Sequence, residues 1–284
     1  MRRVVAAVDL SGLQRRVADR ARLIAEEHDA GLTLLHAVPP LNGVFFDQVE
    51  LKAMHSLRRE STERLFEWLQ DRTDIPIDIS IQVGPPARVV ARAARSADLV
   101  VVGTSSLDPS SVGPMTRRVA RKSRAHVVAV RRQPRVPYRR VLVGVDFSQE
   151  SRLAIEFAFE LAPEAELTAV YSLPVRFDSM LTGAGIDDGD VVASRRRRLI
   201  DAQKALDDFV DQWAGRVRSL VIDGPPGETI QEIVRRRSAD LVVVGARGAS
   251  ADSMVLLGTV AEAVLGTAPC DVAVARSGGT FRRP

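Results

Sequence analysis

Gly245, Gly248, Gly258 and Thr259 are the residues whose types and spacing point most directly to chemistry. They punctuate the stretch LVVVGARGASADSMVLLGTV, from Leu241 to Val260. Glycine admits positive φ and lets a ligand approach the main chain closely. Successive free N–H groups in such a loop make a concavity that receives an anion. A helix start adds orphan N–H groups and partial positive charge, and Thr259 adds a hydroxyl donor. A set of this kind holds the phosphates of a nucleotide. The competing reading is a plain flexible connection between two elements. The flanking elements favour the cradle. Leu241 to Val244 suit a strand buried on both faces. Val260, Ala261, Ala263, Val264 and Leu265 follow a helical apolar pattern.

The elements that position this loop are written twice. SADLVVVG begins at Ser96 and again at Ser238, an offset of 142 residues. Gly-Pro-Pro recurs at Gly84 and Gly224, VVAAVD ending at Asp9 parallels VLVGVD ending at Asp146, and VVAV from Val127 parallels DVAV from Asp271. The chain therefore reads as two copies, residues 1–133 and 139–284, joined by the Pro- and Arg-rich stretch Arg131 to Arg140. Each copy alternates five strands with four helices. In the second copy the strands are expected near Val141–Val145, Leu167–Tyr171, Val217–Ile222, Leu241–Val244 and Val272–Ala275. Ser148 is a plausible N-cap. Alternation of this kind predicts an α/β fold, a parallel sheet with helices on both faces. Ile75, Ile77, Ile79, Ile81 and Val83 alternate as an edge strand with one wet face would.

Ligands of such sheets bind beyond the carboxyl ends of strands, where the strand order reverses. If the first and fourth strands of the second copy are neighbours, Asp146 faces the Gly245–Gly248 loop across one crevice. Its carboxylate then accepts hydrogen bonds from a ribose or a base. Alternatively Asp146 is a turn or helix-cap aspartate before Phe147-Ser148, and local sequence does not decide between the two.

Composition narrows the classes. Hydrophobic residues are 45% and charged ones 27% of 284 residues, as in globular proteins of two ordinary domains. No apolar run is long enough for a membrane helix, and the N-terminal apolar stretch is closed too soon by Asp9 for a signal peptide. The single cysteine, Cys270, excludes an internal disulfide and suits a reducing compartment, which makes the cytoplasm the expected location. Net charge +4 and 5% aromatic residues weigh against a dedicated nucleic-acid surface.

G-x2-G-x9-G-[ST], met by Gly245, Gly248, Gly258 and Thr259, and the strand ending in Asp146-Phe147-Ser148 give a resemblance. Over nearly its whole length, twice, the chain resembles a tandem universal stress protein, within the adenine-nucleotide-binding α/β group. The resemblance implies a Rossmann-like, doubly wound, five-stranded parallel sheet of order 3-2-1-4-5 in each copy. It implies ATP between strands one and four where the glycine motif is kept. By position, Gly144 and Asp146 would lie near the adenosine, and Ser172 would meet adenine through its backbone. Val244 and Gly245 would flank the nucleotide; Gly248, Gly258, Thr259 and Val260 would hold phosphates. Arg247 either pairs with phosphate or is a solvated loop arginine. The first copy departs from the pattern: Ser106 replaces the second glycine, Pro114 stands where Thr259 stands, and Gly103 to Gly113 encloses 9 residues against 12 between Gly245 and Gly258. One ATP per chain follows, with the first copy a structural or partner-facing half. The two copies are expected to pair within the chain; a homodimer is open.

Catalysis has little to work with. The four histidines, His28, His36, His55 and His126, all lie in the first copy. No lysine follows the glycine loop, so it is not a P-loop. Ser11-Gly12 is only a fragment of the Ser-Gly-Gly loop of related pyrophosphatase ligases. Asp187, Asp188 and Asp190 offer contact to Mg²⁺ or form a solvated loop. The expectation is a regulatory ATP-binding module with negligible or slow hydrolysis. Its rivals are a nucleotide-independent interaction protein and, last, an ATP-hydrolysing enzyme. The basic runs Arg195–Arg198 and Arg117 to Arg124 read first as solvated helix faces.

Overall fold

The computed structural model describes residues 1–9, 15–38, 75–104, 112–173, 187–248 and 256–277, with isolated positions between 56 and 67. The chain forms two compact units. One comprises Met1–Pro137 together with Arg276–Pro284, the other Tyr138–Ala275.

In the first unit the strands are β1 (Arg3–Ala7), β2 (Gly31–Val38), β3 (Ile77–Val83), β4 (Leu99–Gly103) and β5 (His126–Val130), and the helices α1 (Arg15–Glu27), α2 (Pro86–Ala93) and α3 (Pro114–Lys122). The strand order is β3-β2-β1-β4-β5, with parallel pairing throughout. β4 and β5 are buried at every position, as uninterrupted Val-rich runs require. β3 differs. Asp78 is exposed, but Ser80 and Gln82 on the same face are half-buried and bonded to each other, Gln82 Nε2 donating to Ser80 Oγ at 3.2 Å. The expected wet face is therefore only partly wet.

The second unit repeats the plan with β6 (Arg140–Val145), α4 (Gln149–Leu161), β7 (Glu166–Leu173), α5 (Asp188–Val210), β8 (Val217–Asp223), α6 (Pro226–Arg237), β9 (Leu241–Gly245), α7 (Thr259–Thr267) and β10 (Asp271–Ala275). Its order, β10-β9-β6-β7-β8, is again 3-2-1-4-5 counted within the copy, and all pairs are parallel. The doubly wound fold expected from the alternation is present in both units. Each Gly-Pro-Pro turn works alike. Gly84 and Gly224 take φ of 150° and 137°, and the second proline opens a helix at its first position, where no N–H is needed. One stretch read as linker is structural at its end: Tyr138 is buried and its hydroxyl donates to Asp271 at 2.8 Å, inside the second unit.

Candidate functional site

β6 and β9 are hydrogen-bonded neighbours, with Val143 beside Val243, and β7 flanks β6 on the other side. The order reverses here, so the carboxyl ends of β6 and β9 frame a crevice. Asp146 leaves β6 at that point and the glycine loop leaves β9.

Asp146 is fixed by the turn that follows it. Its Oδ1 accepts from the Ser148 backbone N–H at 3.1 Å and from Ser148 Oγ at 2.5 Å. Ser148 in turn caps α4, accepting from Ser151 N at 3.1 Å. Phe147 between them takes φ of 62°, a left-handed backbone unusual for a bulky residue. Rings hold it there: Tyr171 lies 4.7 Å away and Phe209 5.6 Å, centroid to centroid, with Trp213 6.0 Å beyond Phe209. With Oδ1 committed to Ser148, Oδ2 points across the crevice. A Cβ built on Gly248 would stand 2.7 Å from it. The turn reading of Asp146 is met through Oδ1, while Oδ2 faces the loop.

The motif glycines have different reasons to be glycine. At Gly245 a Cβ would meet Glu150 Cβ at 2.9 Å and the Glu150 carbonyl at 3.0 Å, so β9 packs directly on the first turn of α4. At Gly144 a Cβ would press on Val244 at 3.3 Å and on Ile230 of α6 at 3.5 Å. Both glycines serve packing. Gly258 has no such demand among the described residues. Its φ of −74° suits any residue, and a Cβ would meet nothing nearer than 3.5 Å, from Arg247 Cα and Gly248 N. Its own N–H is engaged, donating to the Ala246 carbonyl at 2.8 Å. That bond brings the start of α7 back onto the loop. Thr259 and Val260, the first two helical residues, are exposed, and N–H groups at a helix start lack intrahelical partners.

The remaining expected residues divide. Val244 is buried, 3% exposed, beside Gly144. Ser172 lies inside β7 rather than at its end, buried, with its hydroxyl donating to the Gly224 carbonyl. The β6–β7 register sets Tyr171 beside Val145, so Ser172 comes one residue on, next to Asp146 in sequence register. Arg247 is neither free in solvent nor aimed solely at the crevice. Its Nη2 donates to Glu150 Oε1 at 3.0 Å. Glu150 is a side chain bonded to the motif that sequence reading missed. The available signal was an acid in the first turn after the Ser148 cap, which reads as a helix-dipole partner.

Asp187 caps α5, accepting from Gly189 N at 2.8 Å. Among the described residues no group of three or more His, Cys, Asp or Glu is placed to hold a metal ion. His36 is a packed histidine, its Nδ1 2.8 Å from the Val8 carbonyl. Ser11, Gly12, His55, Ser106 and residues 249–255 lie outside the described residues.

In the first unit the corresponding strand end is tied down. Thr116 of α3 donates its hydroxyl to the Gly103 carbonyl at 2.5 Å. Buried Arg16 of α1 donates to Thr104 Oγ1 at 2.7 Å and to the Arg131 carbonyl at 3.1 Å. Pro114 takes the first position of α3 and brings no N–H.

The fold and crevice define a tandem α/β protein of the doubly wound class. The Universal stress protein family matches residues 1–131 and again 137–276, and the chain belongs to that family. A universal stress protein of Mycobacterium tuberculosis is 28% identical over 276 residues, 89% of each chain. One from Methanocaldococcus jannaschii is 28% identical over 143 residues, 49% of this chain and 82% of that protein. Among solved structures, a universal stress protein from Archaeoglobus fulgidus superposes with a TM-score of 0.70 over 96% of both chains at 18% identity, a likeness of fold. No helix among the described residues is long and apolar enough to cross a membrane.

Proposed function

We propose that the second unit binds ATP, with or without Mg²⁺, and that occupancy serves a regulatory role in a stress response rather than catalytic turnover. The observation that carries this reading is the facing of Asp146 Oδ2 and Gly248 across the reversal point of the sheet. Gly248, Thr259 and Val260 supply backbone and hydroxyl donors for phosphates. Gly258 supplies a surface without a side chain, where the fold itself asks for none. Asp146 receives a ribose hydroxyl, and Gly144, Ser172, Val244 and Gly245 build the walls. The bound group would bring its own phosphate charge; the chain contributes positioning and partial positive charge. With one Asp146 oxygen held by Ser148 and no histidine in this half, the site has weak means of activating water. The rival reading, an interaction module indifferent to nucleotide, draws on Gly245 and Gly144 having packing reasons of their own.

Isothermal titration with ATP should give one site per chain, because the first unit's strand end is already bonded to Thr116 and Arg16. Two equivalent sites, or none, would overturn the reading.

A further inference from the structure

The turn that carries Asp146 is held from outside the crevice. Phe147 stands at φ of 62°, a conformation that costs a bulky residue free energy and persists only where its surroundings fix it. Burial alone does not fix it, since Phe147 stays 37% exposed. Ring contacts do. Tyr171 of β7 lies 4.7 Å from the Phe147 ring, tilted at 51°, and Phe209 of α5 meets it edge-on at 5.6 Å. Phe209 is braced in turn by Trp213 at 6.0 Å and by the Arg152 guanidinium, 4.9 Å over its ring. Contacts of this kind attract beyond the area they bury. The first copy lacks the central pair in its sequence: Leu10 stands for Phe147 and His36 for Tyr171.

The backbone of Phe147 sets where Ser148 falls relative to Asp146. At that φ the Ser148 N–H and Oγ both reach Asp146 Oδ1, and the carboxylate is turned so that Oδ2 faces Gly248. A change of φ at Phe147 swings Ser148 off Oδ1, opens this side-chain turn and lets the carboxylate rotate. We propose that Phe147 is a positioning residue for Asp146: its ring, gripped by Tyr171 and Phe209, keeps the carboxylate aimed at a ribose hydroxyl. The ring acts through the turn and not through contact with the nucleotide. This rests on the reading that the second unit binds ATP through Asp146.

The test is titration calorimetry of the full chain with ATP, 2′-deoxyATP and 3′-deoxyATP, for the parent protein, Phe147→Ala, Phe147→Tyr and Phe209→Leu, each checked by thermal melting. The parent should prefer ATP over at least one deoxy analogue by about tenfold, the scale of one hydrogen bond to a charged group. Phe147→Ala should cut that preference about threefold or more, the scale of one aromatic pair, by weakening ATP and not the analogue. Phe147→Tyr keeps the ring and should keep the preference. Phe209→Leu lies outside the turn and stays apolar. It should cut the preference in the same sense, and it carries the test should Phe147→Ala fail to fold. A ring that only supports the fold, or that itself stacks on the base, would weaken all three nucleotides alike. An unchanged preference in folded Phe147→Ala and Phe209→Leu therefore overturns the positioning role and leaves the nucleotide reading standing. A parent that binds all three equally well does the same. If the parent binds none of the three, both fall.

Discussion

Single residues at this site are separable by what their substitution must displace. Gly245 and Gly258 belong to the same motif, yet only Gly245 is required by the protein's own packing. Gly245→Val should push on the Glu150 carbonyl and cost stability on the scale of overpacking, about 1–3 kcal/mol. Gly258→Asp places a good helix N-cap residue in an extended conformation it accepts, so melting should hold or rise slightly. ATP affinity should fall at least about tenfold, since a carboxylate then fronts the phosphates. Melting curves and titration together check both; a destabilised Gly258→Asp would contradict the open slot. The motif glycines were legible in the sequence. What each glycine touches was not, because Glu150 is 95 residues away from Gly245 along the chain. The Arg247–Glu150 pair was hidden for the same reason: it joins two elements whose adjacency exists only once the strand order is known.

At the scale of elements, the reading of strands held well where a strand of the second unit is a short, largely apolar run, as β6, β9 and β10 are. β6 and β9 were placed to within one residue, while β7 runs on through Ser172 to Leu173. The helix α1 carried a surprise. Its composition looks like a charged surface helix, yet Arg16, Asp19 and Arg20 are buried, with Arg16 reaching Thr104 and the Arg131 carbonyl and Arg20 the Val136 carbonyl. Long cationic side chains can lie along apolar surface and deliver their heads to polar partners, a pattern periodicity does not reveal. Arg16→Ala should strip two acceptors of their donor and destabilise the first unit by about 1–3 kcal/mol. ATP stoichiometry should stay at one, since the proposed cradle lies in the other unit. Chemical denaturation and titration of the same variant check this, and a second ATP appearing would show that Arg16 alone had closed that strand end.

For the whole molecule, acid sensitivity should arise in the first unit. Burial lowers the pKa of His126 from 6.5 to about 4, Arg276 adding to the shift and Asp98 opposing it. Its Nδ1 accepts from the Arg276 backbone N–H at 3.2 Å, the neutral form's role. Between those two values the unfolded chain holds more protons than the folded one, so stability falls as pH drops through the window. The loss is on the order of 3 kcal/mol when complete. Denaturant midpoints across the range should show this slope, and His126→Asn should flatten it. Well above pH 6.5, where His126 is uncharged in both states, that contribution to pH dependence vanishes. The contact between Gly245 and Glu150 reaches further than packing. With no spacer atom between β9 and the opening turn of α4, a ligand that steadies the end of β9 steadies that turn with it. Amide hydrogens of Ser151 and Arg152 should then exchange with deuterated water more slowly when the crevice is filled, although neither residue belongs to the glycine loop.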